Sequence, residues 1–384
     1  MNTVLVPDVR GARPFADYAA LPAEEIRTRT HAARRALGQR AVILGHHYQR
    51  ESVIEFADFR GDSLKLSQLA AAQTDAEFIV FCGVHFMAES ADVLRQPHQT
   101  VILPDLKAGC SMADMADIEH VETAWEYLTR AHGDTITPVT YMNSTAALKA
   151  FCGERGGAVC TSSNARAVLE WAWERKPRVF FFPDQHLGRN TGFAMGVPLE
   201  GVADWDWRAE DPERANPACF DPAARLILWR GFCSVHTKFT QAQVDEKRAA
   251  DPAVRVLVHP ECPFDVVRAA DLVGSTEFII DHVRGAAPGT HWAIGTEINL
   301  VHRLALEHPE QTIESLQKNV CPCATMNRID PAHLLWAMEN LAEGHVVNPI
   351  RVTDDVRRGA RIALDRMLAL KGTGSAASAA LARD

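Results

Sequence analysis

The residues best placed to do chemistry are cysteines in open loops and polar side chains that end apolar runs. The candidate ligands are Cys110 in LKAGCSM, Cys233 in RGFCSVH and, in VCPCATM, Cys321 or Cys323, each with a Gly or Pro within two residues. They are too scattered for a zinc ribbon, and Cys321-Pro-Cys323 is one residue short of a redox Cys-x-x-Cys pair. Three thiolates from separate domains can hold an iron–sulfur cluster and leave one iron without a protein ligand. Such an open iron acts as a Lewis acid. Cys82, Cys152, Cys160, Cys219 and Cys262 read as small core hydrophobes.

Three apolar runs end in a polar pair at i, i+2: His46 and Tyr48 in ILGHHYQ, Tyr141 and Asn143 in PVTYMN, His259 and Glu261 in VLVHPE. His, Tyr and Glu are general acid–base types. Each pair precedes a hydroxyl cluster at an expected helix start: Asp62-Ser63, Thr161-Ser162-Ser163, and Gly274-Ser275-Thr276. Helix N-termini offer unpaired N–H groups, so Ser63, Ser162, Ser275 and Thr276 suit carboxylates or a phosphate as well as capping. The spacing repeats. His46 to Cys110 is 64 residues, His259 to Cys323 is 64, and Tyr141 to Cys233 is 92. This spacing selects Cys323 over Cys321, and it leaves the middle unit longer by one insertion, placed at 185–224. Asp184 in FFPDQHLG and Glu297 in IGTEINL also follow apolar runs and read as supporting residues.

The elements that position these groups are strands and helices in alternation. Strands are expected at 41–45, 77–83, 100–105, 137–142, 178–184, 225–231, 254–260, 277–283 and 290–296. Helices are expected at 62–73 and 332–343. The fold class is α/β: three similar α/β/α sandwich domains with parallel sheets, arranged about a pseudo-threefold axis. The expected domains are 1–114, with 327–370 packing back on it, then 115–237 and 238–326. A small, polar tail follows at 371–384.

Composition bounds the function. The chain has 384 residues, 47% hydrophobic and 23% charged, with 40 basic against 49 acidic residues. That is ordinary for a globular protein and excludes disorder or a fibre. A net charge of −9 argues against a protein that grips nucleic acid. No apolar stretch is long enough to span a membrane, and the start carries no secretory pattern, so a cytoplasmic location is expected. No GxGxxG follows a strand, and no Walker A run or GxSxG elbow is present.

The motifs together resemble the quinolinate synthase family, the A protein of bacterial NAD synthesis. The matching segments run in order from residue 41 to about 345. They are GHHYQ, ADFRGDSLKLS, FCGVHFMAESA, LPDLKAGCSMADM, TYMNSTAALKA, CTSSNA, PDQHLG, GFCSVH, HPEC, GSTEFII, GTEINLV and CATMNRI. The resemblance implies three stacked α/β/α domains and a [4Fe–4S] cluster held by Cys110, Cys233 and Cys323, with Met326 completing the last motif. It implies condensation of iminoaspartate with dihydroxyacetone phosphate to quinolinate, a transferase reaction. It also implies functional links to an L-aspartate oxidase and to iron–sulfur assembly proteins.

On that resemblance Glu261, Tyr48 and His46 are the expected catalytic residues. His46, Ser63, Tyr141, Asn143, Ser162, His259, Glu261, Ser275 and Thr276 are expected to bind substrate. Phe86 and Met87 are expected to line the pocket. His47 and His85 depart from residues the family often carries there. The competing expectations are a cluster-dependent hydro-lyase acting on another polyanionic acid, and a structural zinc protein or electron carrier.

Overall fold

The computed structural model describes residues 11–370, so the tail expected at 371–384 lies outside the described residues. The chain forms two compact units. One comprises residues 11–110 with Cys323–Thr353, and the other Ser111–Pro322 with 354–370.

In the first unit, β1 (Ala41–His46), β2 (Phe59–Gly61), β3 (Phe78–Cys82) and β4 (Thr100–Ile102) pair in parallel in the order β2-β1-β3-β4. The run AVILGH is buried at every position, as a central parallel strand covered on both faces requires. The second unit holds two sheets. One orders β5 (Ile136–Tyr141), β6 (Ala158–Cys160), β7 (Arg178–Phe182), β8 (Val202–Trp205) and β9 (Leu226–Trp229) as β6-β5-β7-β9-β8. The other orders β10 (Arg255–Val258), β11 (Leu272–Val273), β12 (His291–Gly295) and β13 (Thr312–Ser315) as β11-β10-β12-β13. A last strand, β14 (Pro349–Ile350), adds antiparallel to β4 in the first unit.

The repeat read from residue spacing is therefore three parallel sheets of one design. In each, the first strand lies between the second and the third, and the next shared strand lies beyond the third. This order puts a topological switch point at the carboxyl ends of the first and third strands, where open α/β sheets bind ligands. The helix after each third strand, His85–Leu94, Gln185–Ala194 and Ile298–Glu307, is 10 residues long in all three sheets.

Three expectations are corrected. Residues 277–283 are not a strand. The helix Thr276–Arg284 occupies them, capped by the Ser275 side chain, with Thr276, Ile279, Ile280 and Val283 buried on one face at helical spacing. The insertion does not begin at 185, because the helix Gln185–Ala194 belongs to the shared pattern. The extra material follows it and carries β8, which extends the sheet beyond β9, with Trp207 stacked on Trp229. Residues 327–370 do not pack as one block. The helix Pro331–Ala342 packs on the helix Ala23–Leu37 around Tyr18, Ile26, Ala332 and Leu335. The helix Asp354–Ala369 packs instead on the helix Ala146–Glu154 and β6. Glycine makes that contact possible, since a Cβ on Gly153 would lie 2.0 Å from the Gly359 carbonyl oxygen.

Candidate active site

The first-strand ends of the second unit converge on one carboxylate. Tyr141 ends β5, and His259 follows β10 directly with Glu261 two residues on. The Tyr141 hydroxyl donates to Glu261 Oε1 at 2.6 Å. Glu261 Oε2 lies 2.8 Å from His236 Nδ1, and His236 Nε2 lies 3.2 Å from Thr296 Oγ1. The backbone N–H of Glu261 donates to His259 Nδ1 at 3.3 Å. The His236 and His259 rings stack with centroids 4.5 Å apart. Donor atoms of Cys233, His236 and Glu261 all lie within 4.8 Å of one another. The sequence reading assigned no role to His236 or Thr296. The signal for His236 was its place three residues after Cys233, one turn along, where a 3₁₀ turn (His236–Lys238) brings it inward.

Burial sets the electrostatics. It opposes charge on Glu261, but His236, then His259, and the hydrogen bonds from His236 and Tyr141 outweigh it and bring the carboxyl down to about 2. His259 is held down to about 3, first by burial and then by His236, against the pull of Glu261. Asp184, fully buried beyond β7, moves the other way: burial and then the charge of Glu261 push its carboxyl well up. Asp184 Oδ1 caps the following helix at Leu187 N, while Oδ2 has no hydrogen-bond partner.

In the first unit His46 ends β1 and is buried, and its Nδ1 accepts from the Tyr48 backbone N–H at 3.2 Å. The two rings meet edge to face at 4.7 Å. The neighbouring Gln49 side chain donates to the Met326 carbonyl at 3.1 Å. This ties the His46–Tyr48 loop to the turn after Cys323. Phe86 and Met87 are buried in the helix His85–Leu94.

The hydroxyls divide in role. Ser275 caps its helix through Phe278 N, and Thr276 is buried beside it. Ser63 is the first residue of the helix Ser63–Ala72, which Asp62 caps. Ser162 is half-buried just before Asn164, the cap residue of the helix Ala165–Trp173. Asn143, two residues past β5, has a buried Oδ1 with no hydrogen-bond partner. Glu297 is fully buried and caps the helix Ile298–Glu307 through Asn299 N.

The cysteines separate by burial, and none of the nine is paired in a disulfide. Cys82, Cys152, Cys160, Cys219 and Cys262 are buried, and burial raises their thiols, those of Cys82 and Cys219 to about 12. That is the wrong direction for a thiolate ligand. Cys110, Cys233 and Cys323 are half-buried, and Cys321 is exposed. Partial exposure separates the thiols of Cys110, Cys233 and Cys323 from the five buried ones, and none of the three carries the burial that opposes a thiolate.

Parallel sheets with one strand order, and in the second unit a buried carboxylate–histidine–tyrosine cluster at the strand ends where such sheets bind ligands, define an α/β protein of the open, ligand-binding type. Comparison with known proteins specifies it further. The chain belongs to the quinolinate synthetase A protein family, whose profile matches residues 28–369. It is 55% identical over 353 residues to the quinolinate synthase of Geobacillus thermodenitrificans, covering 92% of this chain and 95% of that one. It is 56% identical over 356 residues to the quinolinate synthase of a Nocardioides species, covering 90% and 89%. A quinolinate synthase of Corynebacterium glutamicum is 54% identical over 355 residues. Among the described residues no helix is long and apolar enough to cross a membrane.

Proposed function

We propose that this chain is a quinolinate synthase that condenses iminoaspartate with dihydroxyacetone phosphate, releasing phosphate and two waters. The observation that carries the reading, beside family membership, is the buried Tyr141–Glu261–His236 cluster at the strand ends. Cys110, Cys233 and Cys323 would hold a [4Fe–4S] cluster. When bound, its iron without a protein ligand supplies Lewis acidity toward a carboxylate, nitrogen or departing hydroxyl.

The chain's own groups do the rest. Glu261, ionised at neutral pH, fixes the Tyr141 hydroxyl and the His236 ring. A substrate that displaces one of its donors removes a hydrogen bond to the charged form, raises its pKa and makes it a stronger base. His259 is neutral at that pH. Its Nδ1 accepts from the backbone, so its proton sits on Nε2, available to a substrate oxygen. His46 and Tyr48 carry protons at the first unit's strand end. Asn143, Ser63, Ser162, Ser275 and Thr276 anchor carboxylates and phosphate, and Phe86 and Met87 exclude water.

Anaerobic purification with an iron and sulfide count, followed by assay for quinolinate, tests this. Wild type is expected to carry about four iron and four sulfide per chain and to make quinolinate. A cluster without quinolinate would favour a hydro-lyase on another polyanionic acid. Zinc without sulfide would point to a mononuclear site at Cys233, His236 and Glu261, whose donor types suit zinc. The existing bonds of both Glu261 oxygens to Tyr141 and His236 count against that outcome.

A further inference from the structure

We propose that Asp105 and Arg328 form a positioning pair that holds the Cys110 and Cys323 loops in one arrangement, an inference that rests on the cluster reading above. Asp105, 7% exposed, lies three residues beyond β4. Its Oδ1 accepts from Lys107 N at 2.9 Å and its carbonyl from Ala108 N at 3.0 Å, so the turn that leads to Cys110 is built on it. The Ala108 carbonyl in turn accepts from His85 N at 2.7 Å. Asp105 Oδ2 faces the other way and accepts from Arg328 Nε at 2.8 Å.

Arg328 closes the 3₁₀ turn Met326–Arg328, and that turn is pinned to the second thiol. Both Asn327 N and Asn327 Nδ2 donate to the Cys323 carbonyl at 3.0 Å. One carboxylate therefore spends one oxygen on the Cys110 turn and the other on the Cys323 turn. His333 braces it from behind. Its Nε2 is 3.8 Å from Asp105 Oδ2, its Nδ1 is 3.0 Å from Asp330 Oδ1, and its ring stacks on Phe15 at 4.0 Å. The pair acts through the cysteines. Groups that orient ligands from behind control how well a site holds its metal.

The test begins with metal-free protein in a Cys321→Ser background, so that the exposed neighbour does not report. Site-resolved alkylation of Cys110 and Cys323 is compared for Asp105→Asn, Arg328→Met and the double variant. Asn keeps the Oδ1 acceptor and removes the charge. Each single variant is expected to raise both rates by about tenfold, with little further gain in the double. Cys233, in the other unit, stays at its wild-type rate, and Cys82, buried in β3, stays protected. After reconstitution with iron and sulfide, the variants are expected to lose iron to a chelator about 10–100-fold faster than wild type. Unchanged rates at Cys110 and Cys323 would overturn the pair, and so would Cys82 becoming reactive in step with them, which marks general loosening. A wild type that takes up no iron and sulfide would sink the cluster reading, while the thiol rates would still judge the pair.

Discussion

Acidification should cost this protein stability through His259, and by an amount that can be worked out. An ordinary histidine titrates at 6.5, but His259, fully buried against His236, is held at about 3. Between these values the unfolded chain binds a proton that the folded chain refuses. Stability therefore rises with pH across this window and is lost as pH falls below about 6.5. At about 1.4 kcal/mol per pH unit, lowering pH from 7 to 5 removes about 2 kcal/mol through this residue alone. Asparagine at 259 keeps an acceptor for the Glu261 N–H and has no proton to bind, so His259→Asn is the matched control. Urea unfolding of metal-free protein at pH 7, 6 and 5 is the assay. The wild type should lose about 2 kcal/mol more than the variant over that range, and the variant's deficit should shrink as pH falls. Parallel losses in the two proteins would refute the assignment of a buried, neutral His259.

Other consequences follow from the same contacts. Tyr141→Phe removes the 2.6 Å hydrogen bond to Glu261 and should cost about 1.5–3 kcal/mol in urea unfolding. It should also lower kcat for quinolinate about 10–100-fold in a steady-state assay. Asp184→Asn should leave stability at pH 7 unchanged or raised. Burial and then the charge of Glu261 raise the folded carboxyl's pKa well above its unfolded value, so its contribution to stability falls as pH rises above about 4; the same unfolding measurement at pH 7 reads this. Cys323→Ala should lose iron and sulfide where Cys321→Ala retains both, as metal analysis will show. Gly153→Ala drives a Cβ into the Gly359 carbonyl and should lift the helix Asp354–Ala369 from its seat, at a cost of at least about 2 kcal/mol, seen as a lower melting temperature and faster amide exchange in that helix.

Much of the fold was legible because its signals are local. Long apolar runs such as 41–46 and 178–182 announce buried parallel strands whatever surrounds them. The strands β2, β6 and β11 were missed because two or three residues carry no periodicity. They exist through their register against β1, β5 and β10. Residues 277–283 misled for a related reason. The side chains Phe278, Ile279 and Ile280 suit a strand, and the deciding feature is the cap that Ser275 places in front of them. The 10-residue helix at 185–194 was hidden in a segment rich in Gly and polar residues, where amphipathic patterning is weak.

The site divides along the same line. Residue types and spacing alone located His46, Tyr141 and His259 at strand ends and separated Cys110, Cys233 and Cys323 from the other cysteines, because a position after an apolar run and a repeated offset are properties of the chain itself. Tertiary structure alone decided that Glu261 is shared by Tyr141, 120 residues away, and His236, 25 residues away. It also decided that Asp105 reaches Arg328 across 223 residues, and that Asp184 and Glu261 hold their protons so differently. Burial and the approach of distant charges set those properties, and neither is written in any local stretch of sequence.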